Sequence, residues 1–145
     1  LREVLEKTLL LLSPQAKTLG VEIRKEIPQT FLQVSIDPDQ IRQAFTDLGV
    51  NALEAMPGGG VLKVTALENA KGEIVLRFSD TGKGIPKDVQ TKVFDPFFTT
   101  KEGGTGLGLS IVHRIIPQHG GNISVEDRQG GGSIFTISLP PGKRS

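Results

Sequence analysis

Cysteine is absent from the 145-residue chain, so disulfide bonds and thiolate chemistry are excluded, as suits a reducing compartment. Neither sign of charge dominates. Seventeen Lys and Arg against 16 Asp and Glu leave a net charge of +1, which gives no electrostatic footprint for nucleic acid or for direct contact with an anionic membrane. No apolar run approaches the roughly 20 residues needed to cross a bilayer, and no signal peptide is visible. The expected location is cytoplasmic. The first residue is Leu1 rather than Met, already inside a helical pattern. Residues 1–145 are therefore expected to be one domain taken from a longer chain. A hydrophobic fraction of 37% and a charged fraction of 23% are ordinary for such a domain.

Apolar positions at Leu1, Val4, Leu5, Leu9 and Leu12 predict a helix over Leu1 to Leu12. Val21 to Ile27 alternates and reads as a strand, followed by a short strand at Val34 to Ile36. Asp37-Pro38 opens a long helix, with Asp37 as N-cap and Pro38 at the first helical position. Its apolar stripe is Ile41, Phe45, Leu48, Ala52 and Ala55. Strands are predicted over Val61 to Glu68 and Glu73 to Ser79. The pattern then breaks from Asp80 to Gly106, apart from a helical turn near Lys87 to Thr91. A loop of that length inside one domain is functional or disordered. A helix from Leu107 to Ile116 follows, with Pro117 expected to end it early. A hairpin of Asn122 to Glu126 with Ser133 to Leu139 closes the chain. This order gives a two-layer α/β sandwich, a mixed sheet backed by about three helices.

Four constellations carry chemistry. On the long helix, Gln40, Ala44, Asp47, Asn51 and Glu54 recur at helical spacing away from the apolar stripe. Asp47 and Asn51 are one turn apart, and a carboxylate with an amide oxygen suits a hard cation such as Mg²⁺, although a solvated helix face has the same composition. Asp80-Thr81-Gly82-Lys83-Gly84-Ile85 follows an apolar strand. An acid at a strand end with glycines every second residue lets backbone approach a flat ligand, and a buried Asp accepts from an exocyclic amine; a tight turn with a solvated Asp is the plainer alternative. Phe94-Asp95-Pro96-Phe97-Phe98-Thr99-Thr100-Lys101 either plugs the core or anchors a movable segment. Gly103-Gly104-Thr105-Gly106-Leu107-Gly108-Leu109-Ser110 runs into a helix, where free N–H groups and the helix dipole favour phosphate. It matches neither the dinucleotide-binding fingerprint nor the P-loop.

Taken in order, these stretches resemble the boxes of the superfamily joining gyrase, Hsp90, MutL and histidine kinases. Asp47 to Ala52 is similar to the N box, Asp80 to Ile85 to the G1 box, Phe94 to Phe98 to the F box, and Gly104 to Leu109 to the G2 box. Gly131-Gly132-Ser133, with Phe135 and Leu139-Pro140, resembles the closing glycine motif. Asn51-Ala52 with Ala55-Met56-Pro57, and Phe97 to Lys101, are similar to the nitrogen-regulation type of sensor histidine kinase. The resemblance implies the Bergerat ATP-binding fold and a kinase domain that binds Mg-ATP and donates its γ-phosphate to a histidine on a separate dimerisation domain. A response regulator would be an indirect partner.

Residue by residue, the resemblance implies Asn51 as the Mg²⁺ ligand and Asp80 as the acceptor for the adenine amine. Gly82, Gly84 and Ile85 would pass beside the base, with Ser133 reaching it through a water. Gly104, Thr105, Gly106, Leu107, Gly108 and Leu109 would hold phosphates. Pro96 to Thr105 would form the ATP lid, with Thr100 and Lys101 at the nucleotide and Lys101 toward the γ-phosphate. Asp47 departs from the asparagine common at its position. A carboxylate there could serve as base for a nucleophilic histidine or for water, and the sequence leaves both open. Glu54 stands where many kinases carry Lys or Arg, which argues against a phosphate contact from that position. His113 and His119 lie outside any phosphoacceptor motif and read as structural or solvent-facing. A plain ATPase, a serine kinase of the anti-sigma type and a non-catalytic nucleotide-binding module remain as rivals.

Overall fold

The computed structural model describes residues 1–28, 34–90, 92–95 and 108–141. Helix α1 spans Arg2–Leu19, seven residues beyond the expected end at Leu12, and runs through Pro14. Leu12 and Ala16 extend the buried stripe of Leu5, Thr8 and Leu9, so packing outweighs the one backbone bond that Pro14 deletes. The stop is Gly20, in the left-handed conformation at φ 78°, whose N–H reaches the Ala16 and Lys17 carbonyls. Strand β1 (Val21–Glu26) follows directly. Val34 and Ile36 pack against the core but form no strand, because none of the described strands pairs with them.

Helix α2 (Pro38–Glu54) starts as its sequence demands: Asp37 Oδ1 accepts from the N–H groups of Asp39 and Gln40, and Pro38 follows the cap. Strands β2 (Gly60–Glu68) and β3 (Ile74–Asp80) form an antiparallel pair. The single turn α3 (Lys87–Gln90) sits where a helical turn was expected. Helix α4 (Gly108–Gln118) outlasts Pro117 by one residue, against the expectation that the proline would end it sooner. Pro117 deletes only its own N–H bond to the His113 carbonyl, and Gly120 and Gly121 donate to the Pro117 and Ile116 carbonyls just beyond. Strands β4 (Asn122–Asp127) and β5 (Ser133–Leu139) complete the hairpin.

The sheet order is β1-β2-β3-β5-β4, with only the β1/β2 pair parallel. Alternate residues of the central strands, Leu62 and Val64, Leu76 and Phe78, Phe135 and Ile137, turn to one face and are buried there with Leu5, Phe45, Leu48 and Ile116 from the helices. Each such side chain contributes about 1.5–3 kcal/mol on leaving water. The result is the expected two-layer α/β sandwich, a mixed sheet backed by α1, α2 and α4. Between β3 and its neighbour β5 the chain makes the excursion of residues 81–132, which carries α3, α4 and β4 and returns beside the end of β3.

Candidate functional site

The site begins at the last residue of β3. Asp80 is 1% exposed, and its Oδ1 accepts from the N–H of Gly82 at 2.9 Å and that of Ser133 at 3.4 Å. Ser133, the first residue of β5, is itself 3% exposed. One carboxylate thus joins two stretches 53 residues apart in the chain. Gly132 makes the approach possible: at φ 104° it lies so close that a Cβ would collide with the Asp80 carbonyl. Gly82 is required for a different reason. A Cβ there would strike the carbonyl of Ala55, the C-cap of α2, which also accepts from Lys83 N–H at 3.3 Å. The loop after β3 is therefore seated on the end of α2. Gly84, at φ 74°, faces the Gly132 backbone, and Ile85 packs on the edge of the core. Gln90, unremarked in the sequence, donates to the Ile85 carbonyl at 2.9 Å and to Asp127 Oδ1 at 2.8 Å, tying this loop to the end of β4.

The second half of the site is the seam where α2 packs against α4. Asp47 and Asn51 stand one turn apart on α2. A Cβ built on Gly108, the first residue of α4, would lie 3.8 Å from both Cβ and Cγ of Asp47, so the aspartate sits against the N-terminus of that helix. Asp47 Oδ1 accepts from Gln43 Nε2 at 2.9 Å, while Oδ2 is buried with no hydrogen-bond partner among the described residues. Burial pushes the Asp47 carboxyl up to about 6, opposed by the Gln43 hydrogen bond. Gln43 escaped notice in the sequence, although a Gln four residues before an Asp on a helix is a recognisable pair. Leu109 and Ile111 continue α4 against the core.

Phe94 stacks on His113 of α4 with centroids 5.1 Å apart and meets Phe135 of β5 edge-on at 6.2 Å. His113 is therefore a packing partner of the phenylalanine-rich segment. His119 is equally structural: its Nε2 accepts from Asp37 N–H at 3.0 Å, and its Nδ1 lies 2.9 Å from the Ile115 carbonyl. The expected contributions of Phe97, Phe98, Thr100, Lys101, Gly104, Thr105, Gly106 and Leu107 lie outside the described residues. Among those described, no group of three or more His, Cys, Asp or Glu could hold a metal ion by itself, and no helix is long and apolar enough to cross a membrane.

A mixed sheet backed by helices, with a buried acid at the end of its central strand, defines an α/β domain of the ATP-binding sandwich class. The chain belongs to the histidine kinase-, DNA gyrase B- and HSP90-like ATPase family, which it matches over residues 36–143. It is 40% identical over 140 residues to the sensor histidine kinase ZraS of Escherichia coli, covering 97% of this chain and 30% of that protein. Sporulation kinase E of Bacillus subtilis is 35% identical over 138 residues, covering 95% of this chain and 19% of that protein. The chain thus spans less than a third of either relative. The nucleotide-free catalytic domain of the histidine kinase ThkA superimposes with a TM-score of 0.87 at 32% identity, covering 98% of this chain and 93% of that one. ThkA has also been solved in complex with the response regulator TrrA.

Proposed function

We propose that this domain binds Mg-ATP and donates the γ-phosphate to a histidine on a separate dimerisation domain of a cytoplasmic two-component kinase. The observation that carries the reading is Asp80: a buried carboxylate, held by two backbone N–H groups at the end of β3, where an adenine amine would find its acceptor. A carboxylate has several acceptor sites, so one that takes two backbone N–H bonds can also take an amine from a base. Ser133, Gly82, Gly84 and Ile85 would line the base.

Asn51 is the proposed metal ligand. One amide oxygen is too little to hold a cation, but it fits Mg²⁺, which keeps several waters and takes its remaining ligands from substrate phosphates. When bound, Mg²⁺ would neutralise charge developing on those phosphates. Gly108 and Leu109 at the start of α4, preceded by Gly104 to Leu107 and by Thr100 and Lys101, would hold the phosphates. Asp47, against that helix end, would accept the proton of the attacking group.

His113 is stacked on Phe94 and His119 is bonded to Asp37, so neither is offered as the nucleophile. Incubation with γ-labelled Mg-ATP tests the proposal. The expected result is acid-labile label on an added dimerisation domain and none on this chain. Label on His113 or His119, or acid-stable label on a serine, would overturn it.

A further inference from the structure

We infer that Gln43 is a positioning residue for Asp47: its amide holds one carboxylate oxygen so that the other stays turned inward, beside the start of α4, as the proton acceptor. The inference rests on the reading of Asp47 as the base for phosphoryl transfer.

Three observations carry it. Gln43 Nε2 donates to Asp47 Oδ1 at 2.9 Å, from one turn earlier on the same helix. Asp47 Oδ2 is buried and has no hydrogen-bond partner among the described residues. The Cβ and Cγ of Asp47 lie against Gly108, the first residue of α4. The terminal torsion of an aspartate is broad and roughly two-fold, so a carboxylate without a fixed partner samples many orientations. Its more favourable ones turn both oxygens to water, because a buried acceptor without a donor is costly. Gln43 opposes that rotation. It is itself exposed, so its amide approaches from the solvent side and leaves the buried oxygen without a hydrogen bond from the described residues.

The chemistry gives the unpartnered oxygen its use. As the nucleophile attacks, its bond to the γ-phosphorus forms and the bond from phosphorus to the bridging oxygen of ADP breaks. ADP leaves with that electron pair, and the nucleophile's proton passes to Asp47 Oδ2. A base contributes only when its lone pair is within hydrogen-bond reach and aimed at the proton. Loss of Gln43 should therefore lower the rate and leave nucleotide affinity alone.

The test is a double-mutant cycle of Gln43→Met and Asp47→Asn, reading phosphoryl transfer to an added acceptor-histidine domain, hydrolysis of ATP, and Kd for Mg-ATP. Methionine keeps length and helix propensity at this exposed position and removes only the donor. Gln43→Met is expected to lower the transfer or hydrolysis rate about tenfold, with Kd and the melting temperature unchanged, and to have no further effect in the Asp47→Asn background. An unchanged rate in Gln43→Met, or an equal loss in both backgrounds, overturns the positioning role while the base role of Asp47 stands. Unchanged rates in Asp47→Asn itself overturn both.

Discussion

The imidazole of His119 accepts a hydrogen bond from the backbone N–H of Asp37 at 3.0 Å, across 82 residues of chain. Because the Ile115 carbonyl beside Nδ1 can only accept, Nδ1 carries the proton and Nε2 is the acceptor. The bond fastens the C-terminus of α4 to the N-cap of α2, the two helices between which Asp47 sits. Replacement by alanine leaves Asp37 N–H to water at an exposed position, so His119→Ala should cost about 1 kcal/mol, roughly 3 °C in a domain of this size. A thermal melt measures this, and an unchanged melting temperature would mean the bond contributes nothing.

Asp47 makes stability depend on pH. Its carboxyl titrates at about 6 in the folded chain against 3.8 when free, with burial as the main cause. The unfolded chain gives up this proton first, so native stability falls as pH rises from about 4 through 6. Asp47→Asn removes that loss. The expected gain is about 1 kcal/mol at pH 7.5, discounted from the roughly 3 kcal/mol of a fully buried shift because the group is half-exposed. The gain should vanish below pH 4. Urea melts of both proteins at the two pH values decide it, and a gain of equal size at each would refute the titration argument.

Glycines around Asp80 should differ sharply in tolerance. Gly132→Ala meets both a positive φ and the Asp80 carbonyl, so it should destabilise by more than about 3 kcal/mol and abolish nucleotide binding. Gly131→Ala meets only the positive φ, with open space around it, and should cost about 1–2 kcal/mol. Gly58→Ala meets neither and should stay within about 0.5 kcal/mol of the native chain. Denaturant titrations rank the three, and similar values for all would remove the steric account of Gly132.

Base selectivity should rest on the Asp80 carboxylate. Asp80→Asn retains an oxygen for the Gly82 and Ser133 N–H groups but removes the charge. Its ATP affinity should drop at least about tenfold, near 1.4 kcal/mol, and the native chain should reject GTP. Competition with a fluorescent nucleotide reports both numbers. Equal affinity for ATP and GTP would defeat the adenine assignment.

Metal dependence should single out Asn51. Asn51→Ala is expected to weaken Mg-ATP binding about tenfold while leaving ATP in excess chelator unaffected. An equal loss with and without Mg²⁺ would mean that Asn51 acts other than through the cation.

By itself the sequence determined the elements and their boundaries where local chemistry is strong. Asp37-Pro38 fixed the start of α2, alternation fixed β2, β3 and β5, and Gly120-Gly121 closed α4. It also determined the family boxes, and with them the expectation that Asp47, Asn51, Asp80, Gly82 and Ser133 belong to one site. Tertiary structure decided what local pattern cannot carry. Helix α1 passes Pro14 because Leu12 and Ala16 find a sheet and α2 to bury against, and Val34 to Ile36 forms no strand because strand formation needs a neighbour. The sheet topology decided that Ser133 N–H meets Asp80. Packing on α2 decided why Gly82 must lack a side chain, and the approach of α4 decided that one oxygen of Asp47 is buried without a hydrogen-bond partner among the described residues. Hydrogen bonds and collisions between residues distant in the chain depend on how whole elements pack, and no run of neighbouring residues encodes that.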